Sequence, residues 1–133
     1  MSYTKVTILI VDDEESIRES FADYFEDLNY SVLKAASGEE ALSLVTHHHV
    51  DGAIIDIRLP GMDGNELIQE LNKLQPEAIC VICTGSPEYK IPGNIDLPCG
   101  VKHVFTKPVS NLESMEKTLG QLIENKGGKE KLR

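Results

Sequence analysis

One aspartate in this sequence stands where a carboxylate could act as a nucleophile. Asp56 directly follows Ala53-Ile54-Ile55, a short apolar run typical of a strand buried on both faces of a parallel sheet, and it precedes the turn-forming segment 59–64. A carboxylate at the end of a buried strand is costly to bury and well placed to react, and carboxylates form covalent aspartyl-phosphates. We therefore predict that Asp56 accepts a phosphoryl group.

Four further polar residues stand at the ends of other predicted strands. Asp12 and Asp13 follow the first apolar run, Thr84 ends the fourth and Lys107 follows the fifth. Ligands of doubly wound sheets bind beyond the carboxyl ends of the strands, so we expect these residues to meet Asp56 in one cleft. Crowded carboxylates favour a hard divalent cation such as Mg²⁺. Lys107 and Thr84 would supply a positive charge and a hydroxyl donor for phosphoryl transfer.

Apolar patterns predict the elements that position these residues. Strands are predicted at residues 6–11, 31–36, 53–55, 78–83 and 101–106. The apolar residues at helical spacing are Ile17, Phe21, Tyr24, Phe25 and Leu28 in a first helix, Ala41, Leu42, Leu44 and Val45 in a second, Leu67, Ile68, Leu71 and Leu74 in a third, and Leu112, Met115, Leu119, Leu122 and Ile123 in the last. Capping boxes are predicted at 37–40, 63–66 and 110–113. Strands that alternate with helices predict a doubly wound α/β domain around a five-stranded parallel sheet.

The segment between the fourth and fifth predicted strands departs from this alternation. Ser86 and Pro87 suit the first positions of a helix, but Pro92, Gly93 and Pro98 follow soon after. A proline inside a helix removes a backbone hydrogen bond and clashes with the preceding turn, at a cost of about 3 kcal/mol. We expect the fourth helix to be irregular or shortened.

Length and charge narrow the class of protein. The 133 residues suit one domain, and the formal net charge is −9. Residues 1–125 contain 9 Lys and Arg against 21 Asp and Glu, a net charge of −12, so this part of the chain would repel nucleic acid and attract a divalent cation. No apolar run reaches the roughly 20 residues of a membrane span and no secretory leader precedes the first strand, so we expect a cytoplasmic protein.

Taken together, four motifs resemble the receiver domain of bacterial two-component response regulators over residues 5–125. The matching motifs are Asp12-Asp13, the segment D-I-R-L-P-G-M-D-G that begins at Asp56, Thr84-Gly85, and Phe105-Thr106-Lys107-Pro108. The resemblance implies a flavodoxin-like (βα)5 fold with strand order 2-1-3-4-5. It also implies a receiver domain at residues 1–125, with a basic tail or linker at 126–133.

The resemblance implies a role for each residue around the nucleophile. Asp56 would accept phosphate from a phosphohistidine on a sensor histidine kinase or a phosphotransfer protein. Asp13, Asp56 and the backbone carbonyl of Arg58 would bind Mg²⁺, and Asp12 would act on the ion largely through water. Lys107 would pair with the phosphoryl group.

Further residues would convert phosphorylation into a change of shape. Thr84 would turn toward the phosphoryl group and Phe105 would follow inward as its switch partner, while Pro108 would follow a cis peptide bond. The protein would be a signalling phosphoacceptor that catalyses only its own phosphotransfer and slow autodephosphorylation. Its implied partners are the kinase, a downstream protein or output domain, and a second copy in a homodimer, with no direct nucleic-acid or membrane binding.

Two other functions and one local hypothesis stay open from the sequence. A haloacid-dehalogenase-type hydrolase also uses Asp, Thr, Lys and Mg²⁺, but it needs a second Asp two residues after the nucleophile, where this chain has Arg58. A pseudo-receiver would be a constitutive interaction module that is never phosphorylated.

Arg58 is expected at the mouth of the cleft, where its charge would modulate the lifetime of an aspartyl-phosphate. His47, His48 and His49 point in different directions on a helix and are expected to be solvent-exposed rather than metal-binding.

Overall fold

Five parallel strands form one sheet at the centre of the molecule. The strands are β1 (Thr7–Val11), β2 (Ser31–Ala35), β3 (Gly52–Ile55), β4 (Ile79–Thr84) and β5 (His103–Thr106). They lie in the order β2-β1-β3-β4-β5, and every neighbouring pair is parallel. This computed structural model describes residues 5–85, 101, 103–107 and 112–127. The predicted fold class and strand order are confirmed.

Four helices cover the two faces of this sheet. They are α1 (Glu15–Asp27), α2 (Gly38–His47), α3 (Gly64–Leu74) and α4 (Leu112–Gly127). Successive residues of β3 point to opposite faces, because side chains alternate along a strand. Ala53 and Ile55 pack in one apolar cluster with α2 and α3, whereas Ile54 packs in a second cluster with α1 and α4. The doubly wound arrangement therefore buries both faces of the central strand, as its continuous apolar run predicts.

Side-chain caps start α2 and α3 close to the carboxyl edge of the sheet. Asp63 and Glu66 form the predicted capping box at the start of α3. Ser37 accepts the backbone N–H of Glu40 at 3.1 Å, but the Glu40 carboxylate accepts the N–H of Ala36 instead of that of Ser37. The third predicted box, at 110–113, begins outside the described residues. The two described caps fix the helix starts on either side of the segment that follows β3.

Two side chains differ from the predicted burial pattern. Leu74 was predicted to face the core, but it is 51% exposed. It is the last residue of α3, and the side-chain amide of Gln75 turns inward instead, donating to the carbonyls of Val45 and His48 and accepting from Val50. Glu116 of α4 is buried although it is acidic.

Several predictions fall on parts of the chain that are not described. The irregular fourth helix between Ser86 and Pro98, the cis bond before Pro108 and most of the basic tail at 126–133 all lie outside the described residues. Helix α4 itself continues to Gly127. No helix in the described part of the chain is both long enough and apolar enough to cross a membrane.

Candidate functional site

The ends of neighbouring strands bring the predicted acidic residues together. β1 and β3 pair with Val11 opposite Ile55. The residue after each, Asp12 or Asp56, therefore leaves the sheet at the same edge, and the backbone N–H of Asp56 donates to the carbonyl of Val11 at 2.9 Å. Carboxylate oxygens of Asp12, Asp13 and Asp56 lie within 4.8 Å of one another. Within the described ranges, this is the one His, Cys, Asp or Glu cluster with metal-binding spacing.

Lys107 reaches the same cluster from β5, the strand at one edge of the sheet. It follows β5, and its backbone N–H donates to the carbonyl of Thr84 at 2.8 Å. Its ammonium nitrogen lies 2.6 Å from Oδ2 of Asp12 and 3.0 Å from Oδ2 of Asp56. The Lys107 side chain is only 10% exposed. One lysine therefore pairs with carboxylates that follow two different strands.

Burial and nearby charges determine the protonation states of Lys107 and Cys83 in this part of the site. Burial lowers the pKa of Lys107, but hydrogen bonds to Asp12 and Asp56 and their negative charges raise it more, so the net pKa lies above its ordinary value. Burial raises the pKa of the Cys83 thiol to about 12; the charge of Lys107 opposes this shift, and those of Asp12 and Asp56 add to it. Lys107 is therefore a cation and Cys83 a neutral thiol at neutral pH.

The acidic cluster suits a hard divalent cation. All of its donors are carboxylate oxygens, which Mg²⁺ prefers, and like charges at this spacing repel one another unless a cation lies near them. Asp12 and Asp56 are buried, whereas Asp13 is exposed. A cation could thus exchange with solvent on the Asp13 side. The side chains of His47, His48 and His49 are exposed, as predicted, and do not belong to the cluster.

The other predicted site residues lie around the cluster. Thr84 is fully buried at the end of β4. Phe105 is half-buried against the apolar cluster shared by α1 and α4. The side chain of Arg58 is exposed, and its backbone N–H donates to Oδ1 of Asp56 at 3.1 Å. The structure thus places Arg58 in contact with the nucleophile candidate and Thr84 and Phe105 on β4 and β5, and the roles of all three stay predictions.

Gly64 is a site residue that sequence reasoning treated only as part of a turn. Its N–H donates to the carbonyl of Ile57 at 3.0 Å. A Cβ at this position would lie 2.7 Å from the carbonyl oxygen of Asp56 and 2.7 Å from Cα of Ile57. Only glycine allows the start of α3 to approach the nucleophile's backbone so closely. The Asp63-Gly64 pair was the available signal, but it does not specify which backbone the glycine approaches.

Two more charged residues hold the loops of the site, and neither was predicted. Arg18 of α1 donates from Nη1 to the backbone carbonyl of Asp12 at 2.9 Å. Glu39 of α2 accepts the backbone N–H of Met62 at 3.1 Å, next to Gly61, whose φ is +72°. Arg18 lies one helical turn after Glu14, a spacing that points it back toward the end of β1, so the sequence held a weak signal.

An acidic cluster paired with a lysine, at the carboxyl edge of a sheet in this strand order, defines the receiver class of signalling domains. Residues 8–119 match the family described as the response regulator receiver domain, and the chain belongs to that family. Members act in two-component signalling, and phosphorylation and Mg²⁺ binding at the acidic pocket are general among them.

Individual relatives and structures show the same similarity. The response regulator GtcR of Aneurinibacillus migulanus is 36% identical over 117 residues, which cover 87% of this chain and 47% of that protein. A CheY-like receiver domain protein from Methanospirillum hungatei has a TM-score of 0.83 at 29% identity, covering 94% of this chain and 98% of the other. The response regulator TrrA of Thermotoga maritima, crystallised with Mg(2+)-BeF, has a TM-score of 0.76 at 27% identity, covering 88% and 98%. The chain thus spans about half the length of GtcR and nearly the full length of these two solved proteins.

Proposed function

We propose that this chain is a phosphoacceptor in a two-component phosphorelay and that Asp56 receives the phosphoryl group. The observation that carries the proposal is the meeting of Asp12, Asp13 and Asp56 within 4.8 Å, with Lys107 paired to two of them. The donor would be a phosphohistidine of a sensor histidine kinase or a phosphotransfer protein. The carboxylate of Asp56 would form a bond to phosphorus while the phosphorus–nitrogen bond of the donor breaks.

The residues around Asp56 supply what this transfer requires. Two negative groups must approach each other, so positive charge beside the carboxylate lowers the barrier. Lys107 already lies 3.0 Å from Asp56 and is held as a cation. Thr84 would donate its hydroxyl to the phosphoryl group. Mg²⁺, when held by Asp13, Asp56 and the Arg58 carbonyl and reached by Asp12 through water, would offset the remaining negative charge.

The readout that we propose begins at Thr84 and passes to Phe105. Thr84 is the last residue of β4, and Phe105 lies in β5, the strand that pairs with β4. Phe105 pairs with Cys83, the residue before Thr84, so the Thr84 and Phe105 side chains project to opposite faces of the sheet. Movement of the Thr84 hydroxyl toward a phosphoryl group on Asp56 would therefore reach Phe105 through the paired ends of β4 and β5, not by direct contact. A phosphoryl group that fits one arrangement better than the other would shift the population of the two. A cis peptide bond before Pro108 would help to hold Lys107 in place.

The wider setting of the domain is also a proposal. We place the receiver at residues 1–125 and a basic tail or linker at 126–133. Because relatives such as GtcR are about twice as long as this chain, the downstream partner would be an output domain or a separate protein, and a homodimer is one candidate assembly. The net charge of −12 on residues 1–125 disfavours nucleic-acid binding by the domain itself. A cytoplasmic location, typical of the family, fits the proposed kinase partner.

Intact-mass measurement after incubation with Mg²⁺ and phosphoramidate tests the proposal. Wild type is expected to gain the mass of one phosphoryl group, and the Asp56→Asn variant none. A wild type that turns the donor over rapidly without a lasting adduct would favour a hydrolase. A wild type that gains no mass and consumes no donor would favour a constitutive interaction module. Either result would overturn the phosphoacceptor function, in which the protein catalyses only its own phosphorylation and slow dephosphorylation.

A further inference from the structure

We infer that Arg18 is a positioning residue for the metal-binding turn, a role that rests on the proposed function. Its Nη1 donates to the backbone carbonyl of Asp12 at 2.9 Å, and its side chain is only 15% exposed. That carbonyl belongs to the peptide that joins Asp12 to Asp13. Arg18 therefore fixes the orientation of the peptide from which the Asp13 carboxylate projects.

The turn after β1 needs such a contact because the other restraints described for it act on Asp12 and Glu14. The N–H of Asp12 donates to the carbonyl of Ala35 at 3.1 Å, and its Oδ1 accepts the N–H of Glu14 at 2.9 Å. Glu14 is the N-cap of α1, yet its side chain makes no capping hydrogen bond. Asp13 is exposed, so packing orients its carboxylate little and the backbone orients it most. Within the described part of the chain, the Arg18 contact is the one that acts on the peptide linking the two carboxylates.

Arginine suits this task better than lysine. Its guanidinium is planar and permanently charged, and it carries several donors in a fixed arrangement. Nη1 binds the Asp12 carbonyl while Nε lies 3.9 Å from the carboxylate of Glu19, so contacts with two residues restrain the plane of the group. A lysine at 18 could reach the carbonyl with one ammonium but would lack this second restraint. We expect Arg18→Lys to keep part of the function.

Charge and positioning predict opposite effects of removing Arg18 on Mg²⁺ affinity. A cation beside the acidic cluster repels Mg²⁺, so deleting its charge alone would tighten binding. Loss of the hydrogen bond would instead let the Asp12–Asp13 peptide rotate, which would weaken binding. Removal of a group that orients a metal ligand lowers affinity by roughly 10- to 100-fold. We expect the loss of positioning to exceed the gain from charge, with a net weakening of about tenfold.

Calorimetric titration of Mg²⁺ into wild type, Arg18→Met and Arg18→Lys tests the inference. We expect Arg18→Met to bind about tenfold more weakly, with Arg18→Lys between it and wild type. The control is Lys34→Met, which also deletes one positive charge that faces α1, where Lys34 pairs with Glu19 at 2.8 Å. This control should bind as wild type does or slightly more tightly. Thermal unfolding without metal shows that each variant is folded, and if Arg18→Met is not, weaker binding by Arg18→Lys carries the test.

A double-mutant cycle with Asp13→Asn separates positioning from a general structural effect. If Arg18 acts through the Asp13 carboxylate, Arg18→Met will change the affinity little once Asp13 is replaced. Equal or tighter Mg²⁺ binding by Arg18→Met, or an undiminished effect in the Asp13→Asn background, would overturn the inference alone. Absence of Mg²⁺ binding by wild type would overturn both the inference and the metal part of the proposed function.

Discussion

The ammonium of Lys107 lies 2.6 Å from Oδ2 of Asp12, across the carboxyl ends of β4 and β3. The same nitrogen lies 3.0 Å from Oδ2 of Asp56. Both carboxylates are buried, with 2% and 5% of their residue surfaces exposed. Lys107 thus neutralises charges that would otherwise destabilise this edge of the sheet, and it does so on the same carboxylates that would hold a metal ion.

Replacement of this lysine should destabilise the protein strongly. Lys107→Met leaves two buried carboxylates without their cation, so we expect the free energy of unfolding to fall by about 3 kcal/mol at pH 7. Mg²⁺ should restore part of this loss, since an ion that binds only the folded state stabilises it. Urea denaturation with and without Mg²⁺ measures both effects. The control is Lys117→Met on α4, where an exposed pair with Glu113 contributes at most about 1 kcal/mol. Equal losses in the two variants would contradict the account.

The stabilisation that Lys107 contributes should depend on pH in a defined direction. Its folded-state pKa is raised, so its contribution is fully present below the unfolded-state pKa of about 10.4 and is lost as pH rises toward the folded-state pKa. The difference in unfolding free energy between wild type and Lys107→Met should therefore be constant from pH 8 to 9.5 and shrink above about pH 10.4. Urea denaturation across this range measures the difference in unfolding free energy. A difference that grows above about pH 10.4 would contradict the predicted direction.

A methyl group at Gly64 should disturb the nucleophile's backbone. Helix propensity alone would make Gly64→Ala stabilising by up to about 1 kcal/mol. The added Cβ, however, would lie 2.7 Å from the Asp56 carbonyl oxygen, and such overpacking costs about 1–3 kcal/mol. We expect net destabilisation together with weaker Mg²⁺ binding. Gly85→Ala is the matched control, because no atom of the described residues lies within 4 Å of its added Cβ. A Gly64→Ala protein as stable as this control would refute the prediction.

The exposed side chain of Arg58 should lengthen the lifetime of an aspartyl-phosphate. Its backbone N–H already binds Oδ1 of Asp56, so its guanidinium can lie over a phosphoryl group and shield it from water. Since exposed charges interact by about 1 kcal/mol or less, Arg58→Ala should speed dephosphorylation about two- to fivefold. The decay of the phosphorylated mass measures this, with Lys73→Ala on α3 as a charge-matched control. Equal decay in wild type and Arg58→Ala would dispose of the proposal.

The parts of this protein that follow strand and helix periodicity could be predicted from sequence. The central run Ala53-Ile54-Ile55 implied a strand buried on both faces, and polar residues at strand ends implied one cleft. The contacts that depend on local geometry could not be predicted from sequence. Arg18 and Gly64 act on backbone atoms of Asp12 and Asp56, and no side-chain pattern reports such a contact.

Periodicity alone also could not predict which side chains are buried at the end of a helix or within its apolar stripe. Leu74 has the spacing of a core residue, but α3 ends there and Gln75 takes the inward position. Glu116 lies between Met115 and Leu119 on the buried stripe of α4, and Tyr30 donates a hydrogen bond to its carboxylate. An acidic residue on an apolar stripe could have been predicted as buried only if that partner were known.

Chemical mapping of the phosphorylated residue tests the central claim most directly. Borohydride reduces an aspartyl-phosphate to homoserine, and trypsin would place Asp56 in peptide 35–58 but Asp12 and Asp13 in peptide 6–18. After incubation with Mg²⁺ and phosphoramidate, we expect homoserine at position 56 of the first peptide and no change in the second. Homoserine at position 12 or 13, or an unmodified Asp56 in protein that has gained a phosphoryl group, would contradict the account.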